Sequence, residues 1–80
     1  MNDKEKIQIS KFMSQVLRHE PHTIGAMLDA DGWMPVETLL NGMRTHHETL
    51  ILKDIVDIVD SSEIKRFQFS ESGNHIRAIQ

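Results

Sequence analysis

Two short basic clusters hold the side chains best suited to chemistry in this 80-residue chain. Arg18 and His19 are adjacent in the first. A guanidinium presents a planar fork of donors that matches two oxygens of a phosphate, and a neighbouring imidazole donates a hydrogen bond or moves a proton near neutral pH. Lys65 and Arg66, with Arg77 and His75 further on, form the second. These are the residue types needed to hold a phosphate, but each has a plainer role as well. Cations at the carboxyl end of a helix complement its dipole, and charges along a strand edge guard it against stray pairing. The residues alone leave open whether Arg77 faces the same side as Arg66.

Other chemistry finds less support. His19 and His22 have a spacing that suits a metal, but Pro21 between them breaks helical geometry and no carboxylate or cysteine completes a ligand set, so no metal is expected. The chain has no cysteine, which removes disulfides and thiolate zinc sites. His46 and His47 fall in a polar connector and read as solvated loop residues. Paired carboxylates, a glycine-rich phosphate loop and a nucleophile beside a base are absent in recognisable form. Trp33 and the three phenylalanines are so few that they read as core, although an aromatic near basic residues also stacks on nucleic-acid bases. By itself the chain does not read as a complete enzyme.

The elements that must position these residues follow from periodicity. Ile9, Phe12, Met13, Val16 and Leu17 form one stripe of an amphipathic helix. Pro21 cannot continue that helix and disfavours helical backbone at Glu20, so the helix is predicted to end at Arg18-His19. A short helix is predicted over 21–28, then a turn at Asp29-Ala30-Asp31-Gly32 and an extended stretch at Trp33. Pro35 suits the first position of a second helix carrying Val36, Leu39, Leu40 and Met43, which ends around Gly42 to Arg44. Thr49 is the expected N-cap of a third helix with Leu52, Ile55, Val56 and Val59 on one face, widened by Ile51 and Ile58. Alternation at Phe67 and Phe69, a turn over 70–74, and alternation again over 75–79 predict a β-hairpin.

Three helices followed by a hairpin, with a possible short strand at Trp33, is the order of an α+β, winged-helix-like domain. The third helix carries one lysine against two aspartates between Leu50 and Val59, so it makes a poor reader of a DNA groove. Eighty residues support one core, since a chain of that size buries only roughly 60–65% of its unfolded surface. An apolar fraction of 39% and a charged fraction of 26% are ordinary for a folded domain. The formal net charge of −3 argues against a general nucleic-acid coat, so any RNA contact must be local. No apolar run approaches the ~20 residues that span a bilayer, and the polar start lacks a signal-peptide pattern, so the chain reads as cytoplasmic with no membrane partner.

The ordered combination of motifs carries more than any one of them. The run Ser10-Lys11-Phe12-Met13-Ser14-Gln15-Val16-Leu17-Arg18-His19-Glu20-Pro21, then Ile24-Gly25, Asp31-Gly32-Trp33, Lys65-Arg66-Phe67 and Ile76-Arg77-Ala78-Ile79-Gln80 resembles the RNA 2′-phosphotransferase family of the KptA type. The resemblance implies an N-terminal winged-helix lobe that engages RNA, and it covers that lobe only. A C-terminal, ADP-ribosyltransferase-like lobe would bind NAD as co-substrate, and no cofactor is expected to bind tightly to the first lobe. The implied reaction removes the internal 2′-phosphate that splicing leaves on tRNA. The phosphate attacks the nicotinamide ribose of NAD and releases nicotinamide. A ribose hydroxyl then attacks the phosphate, yielding ADP-ribose 1″,2″-cyclic phosphate and a free 2′-hydroxyl.

By motif match, the family's Arg-His pair and second arginine fall on Arg18, His19 and Arg66, and these are the expected catalytic residues. A further arginine of the NAD lobe has no counterpart here. Lys65 and Arg77 join the three as expected RNA and phosphate contacts. The shared site requires that the end of the first helix and the start of the hairpin meet. The sequence departs from the family where it stops at Gln80 instead of continuing through Gly-His-Ser, at Glu20 where lysine is frequent, and at Ile79 where asparagine is common. A lobe of this kind is expected to be inactive alone. The competing readings are a stand-alone winged-helix adaptor for protein or nucleic acid, and a DNA-binding regulator, which the acidic third helix disfavours.

Overall fold

The computed structural model describes residues 2–61 and 66–79. Helix α1, Asp3–Arg18, begins well before its apolar stripe because the Asn2 side chain accepts a hydrogen bond from the Glu5 amide at 2.8 Å, and Asp3 and Glu5 lie in the positive first turn. The stripe buries Ile9, Met13, Val16 and Leu17, with Phe12 half-buried at its margin. The helix stops where Pro21 requires. The amides of His19 and Glu20 both donate to the Gln15 carbonyl, at 3.0 and 2.9 Å, and leave Arg18 as the last helical residue.

The helix expected over 21–28 is only a single 3-10 turn, Pro21–Ile24. Gly25 ends it in the left-handed conformation at φ 69°, and Ala26, rather than the 84% exposed Met27, turns into the core. The predicted turn forms around Asp29. Its carboxylate accepts from the amides of Asp31 and Trp33, each at 2.9 Å, while Gly32 at φ 86° donates to the Asp29 carbonyl. This turn delivers Trp33 to strand β1, Met34–Pro35. Pro35 therefore sits one residue earlier than expected: it closes β1 and is the N-cap of α2, Val36–Met43. An edge strand tolerates it, since a proline has no ladder donor to lose.

Helix α3 covers Leu52–Ser61, and Thr49 does not cap it. Asp54 reaches back instead to accept from the Ile51 amide at 3.0 Å. The buried face is also rotated from the expected one. Ile55 and Ile58 are buried and Val59 packs against the core, while Ile51 and Leu52 are about half exposed, at 48% and 50%. His46 is exposed, as expected, and His47 is half-buried, while both rings lie near Phe12 with centroids 5.1 and 6.3 Å from it.

Strands β2, Phe67–Phe69, and β3, His75–Ala78, complete an antiparallel sheet in the order β1-β3-β2. Ile76 of the central strand pairs with Met34 on one side and Phe69 on the other. Two further backbone bonds extend the ladder, from the Val36 amide to the Asn74 carbonyl at 2.9 Å and from the Ile79 amide to the Arg66 carbonyl at 2.8 Å. Met13, Val16, Met34, Leu39, Met43, Ile55 and Ile76 are the most deeply buried side chains, so all three helices and the sheet share one core. The described residues thus form an α+β fold of three helices and a small antiparallel sheet.

Helix α2 holds the segment after α1 in place through a glycine. A Cβ on Gly42 would lie 2.5 Å from the Cβ of Ile24, on the 3-10 turn that follows His19. Gly42→Ala is therefore expected to destabilise the fold by about 1–3 kcal/mol, the usual cost of overpacking. Urea unfolding followed by circular dichroism measures it.

Candidate functional site

Arg18 leaves the end of α1 and reaches across to the sheet. Its Nη2 donates to the Ile79 carbonyl oxygen at 3.1 Å. The Ile79 amide in turn donates to the backbone carbonyl oxygen of Arg66 at 2.8 Å. One residue of β3's extension therefore links the two arginines, and the end of the first helix meets the base of the hairpin. Because Phe67 is buried, strand alternation turns Arg66 to the opposite, outward face. Arg66 is exposed there, on the same face as Gln68. Arg18 is exposed too, and among the described residues no ion pair engages either guanidinium.

Glu20 is the acidic residue closest in sequence to this pair. Its carboxylate accepts from Gln15 Nε2 at 2.6 Å, so it is engaged with the helix. His19 is exposed at the C-cap, beside Arg18, and its ring makes no hydrogen bond among the described residues. Lys65 lies outside the described residues.

The open question about Arg77 is answered by register. Gln68 and Arg77 are directly paired, and so they share the outward face with Arg66. Nε and Nη2 of Arg77 both donate to Gln68 Oε1 at 3.2 Å. The guanidinium carbon of Arg77 also stands 4.4 Å from the centroid of the Trp33 ring. Trp33 is thus not a core residue. With Met34 buried and paired with Ile76, the residue before it faces outward opposite Arg77, and Trp33 remains half-buried under that cation.

Arg18, Asp31, Gly32, Gln68, Arg77 and Ile79 border one open groove of about 430 Å³. That volume is at the small end of the range for ligand sites. Arg66 and His19 stand outside the groove proper, at the hairpin base and the helix end. Reading residue types did not find Trp33, Gln68 or Asp31 as neighbours of the arginines. Counting the hairpin back from its turn would have paired Gln68 with Arg77. Nothing comparable signals Trp33, whose partner lies far along the chain. Among the described residues no three histidine, aspartate or glutamate side chains gather as a metal site would require, and no helix is long and apolar enough to cross a membrane.

Basic residues from a helix end and a sheet face, Arg18 and Arg77, thus border one small groove together with Asp31. Residues 4–80 match the RNA 2′-phosphotransferase, Tpt1 / KptA family, and the chain belongs to that family. It is similar to the probable RNA 2′-phosphotransferase of Pseudomonas syringae pv. tomato, 40% identical over 80 residues, which is all of this chain and 43% of the relative. The protein of the same name from Rhodopirellula baltica is 41% identical over 78 residues, 98% of this chain and 42% of the relative. That of Escherichia coli O6:K15:H31 is 40% identical over 79 residues, 99% of this chain and 43% of the relative. The chain therefore spans less than half the length of the curated relatives it matches.

Removing the Arg77 side chain uncovers Trp33 and frees Gln68. Arg77→Ala is expected to red-shift tryptophan emission in the folded protein and to cost about 0.5–1 kcal/mol, the range of an exposed cation–π contact. Emission spectra and urea unfolding check the two parts.

Proposed function

We propose that this chain is the RNA-facing lobe of an NAD-dependent RNA 2′-phosphotransferase, a single winged-helix-like unit that holds the internal 2′-phosphate of a tRNA-like substrate. The observation that carries this reading is the link from the Arg18 guanidinium through Ile79 to Arg66, which joins the two arginines that the family resemblance assigns to one phosphate. The element order, three helices and then a hairpin joined by a short third strand, supports the winged-helix topology.

Arg18 and Arg66 act as a clamp. Both keep donors free for an anion, and neither is neutralised by a carboxylate among the described residues. Guanidinium groups already in position stabilise charge on a transferring phosphate without reorganising solvent. His19, on the residue next to Arg18, contacts the phosphate or passes a proton as the 2′-hydroxyl is released. Lys65 and Arg77 add positive potential along the path of the RNA backbone. NAD is the second substrate. In this reading it is held by an ADP-ribosyltransferase-like lobe, so the residues of this chain bind and orient the RNA side of the reaction and do not turn it over alone.

The test is a titration with a short RNA carrying an internal 2′-phosphate and with its unphosphorylated twin. The phosphorylated RNA is expected to bind at least about tenfold tighter, the value of one or two charge-assisted hydrogen bonds. Arg18→Ala and Arg66→Ala should each abolish most of that preference. Equal affinity for the two RNAs would favour an adaptor without phosphate recognition.

A further inference from the structure

We propose that Trp33, Arg77 and Gln68 form a nucleobase platform that seats one base of the RNA beside the phosphate clamp, an inference that rests on the RNA-binding reading above. The three side chains make a row across the outward face of the sheet, one from each strand or its extension. The guanidinium carbon of Arg77 stands over the Trp33 ring, 4.4 Å from its centroid. The guanidinium has no second ring and no ion partner among the described residues, and Arg77 borders the groove that Arg18 also lines.

Three features favour a base over a second phosphate. The Nε and Nη2 donors of Arg77, the side-on fork that grips an anion, are both committed to Gln68 Oε1 at 3.2 Å. Donors on Nη1 and Nη2 remain, but the plane is held against rotation by Gln68, and RNA bases stack on arginine planes as they do on aromatic rings. Asp31 lines the same groove, and its carboxylate repels a phosphate but accepts from an exocyclic amine or ring N–H of a base. Gln68, with its oxygen turned to Arg77, keeps its amide NH₂ without a partner among the described residues. Plane, acceptor and donor together suit the face and edge of a nucleobase.

The platform's order comes from within the protein. Asp29 anchors the Trp33 amide at 2.9 Å, Trp33 supports Arg77, and Gln68 fixes its rotation. A base that stacks there loses little entropy in the protein on binding.

The experiment uses this chain, the RNA with an internal 2′-phosphate, and two further versions of it that lack the base of the nucleotide bearing the phosphate or of the next nucleotide. Trp33 is the chain's sole tryptophan, so its emission reports on the platform alone. Arg77→Lys keeps the charge and removes the plane. It is expected to weaken the intact RNA about tenfold, within the range for one stacked base. The same variant should change binding of one of the base-lacking RNAs by less than about twofold, the limit of additivity for uncoupled changes. Trp33 emission should respond to the intact RNA and not to that one.

If Arg77→Lys weakens the intact and both base-lacking RNAs by the same factor, the platform is overturned and Arg77 is merely a source of charge. Loss of the preference for 2′-phosphate with coupling at Arg77 retained would overturn the clamp and leave the platform standing. Binding of none of these RNAs overturns both.

Discussion

Ile76 is fully buried in the middle strand of the sheet, held between Met34 on one neighbour and Phe69 on the other. Because strand side chains alternate, its burial sends Arg77 outward and aligns it with Gln68 and Trp33. A slip of one residue would exchange the faces, driving the Arg77 cation into an apolar core and exposing Ile76 to water. The hydrophobic effect thus sets the position of a charged group without touching it. The same register carries on to Ile79, whose amide meets Arg66 and whose carbonyl meets Arg18. Helix α1 contributes its share through Pro21, which halts the helix so that its last residue overlooks the end of the sheet.

The site also shows how an acidic chain gathers local positive charge. With a net charge of −3, the protein offers no general attraction to a polyanion. Arg66 and Arg77 share the outward face of the sheet, and Arg18 joins them from the helix. Glu20 is bound to Gln15 and Asp29 is spent on two backbone amides, so neither carboxylate pairs with these guanidinium groups. Asp31 is the exception, an acidic residue that lines the groove beside Arg18 and Arg77.

The sequence made much of this legible, unevenly. The stripe from Ile9 to Leu17 and the proline after it located the end of α1, because apolar periodicity over two turns and a missing N–H are strong local signals. The start of α1 was hidden, since its first turns are polar and depend on the Asn2 cap. In α3 the run from Leu50 to Val59 is apolar on more than one side, and only packing selected Ile55 and Ile58 over Leu52. Strand β1 is two residues long, too short for any periodicity, so composition alone points Trp33 to the core while the structure leaves it half-buried on the outer face. The residue types at Arg18, His19 and Arg66 did not by themselves distinguish a phosphate site from ordinary helix-end and strand-edge charges. Their order along the chain, read as a family pattern, is the ground for proposing one, and the geometry adds the tie through Ile79 that no spacing rule contains.

Arg18 and Arg66 are proposed to converge on one phosphate. Side-chain Nε–Hε resonances of the arginines, followed by NMR during titration with the 2′-phosphorylated RNA, test it directly. The Arg18 and Arg66 signals are expected to move together along one saturation curve, while Arg44, whose Nε already donates to the Leu50 carbonyl at 2.8 Å, stays in place. An Arg66 signal that remains unmoved as Arg18 saturates, or shifts concentrated on α3, would contradict the account.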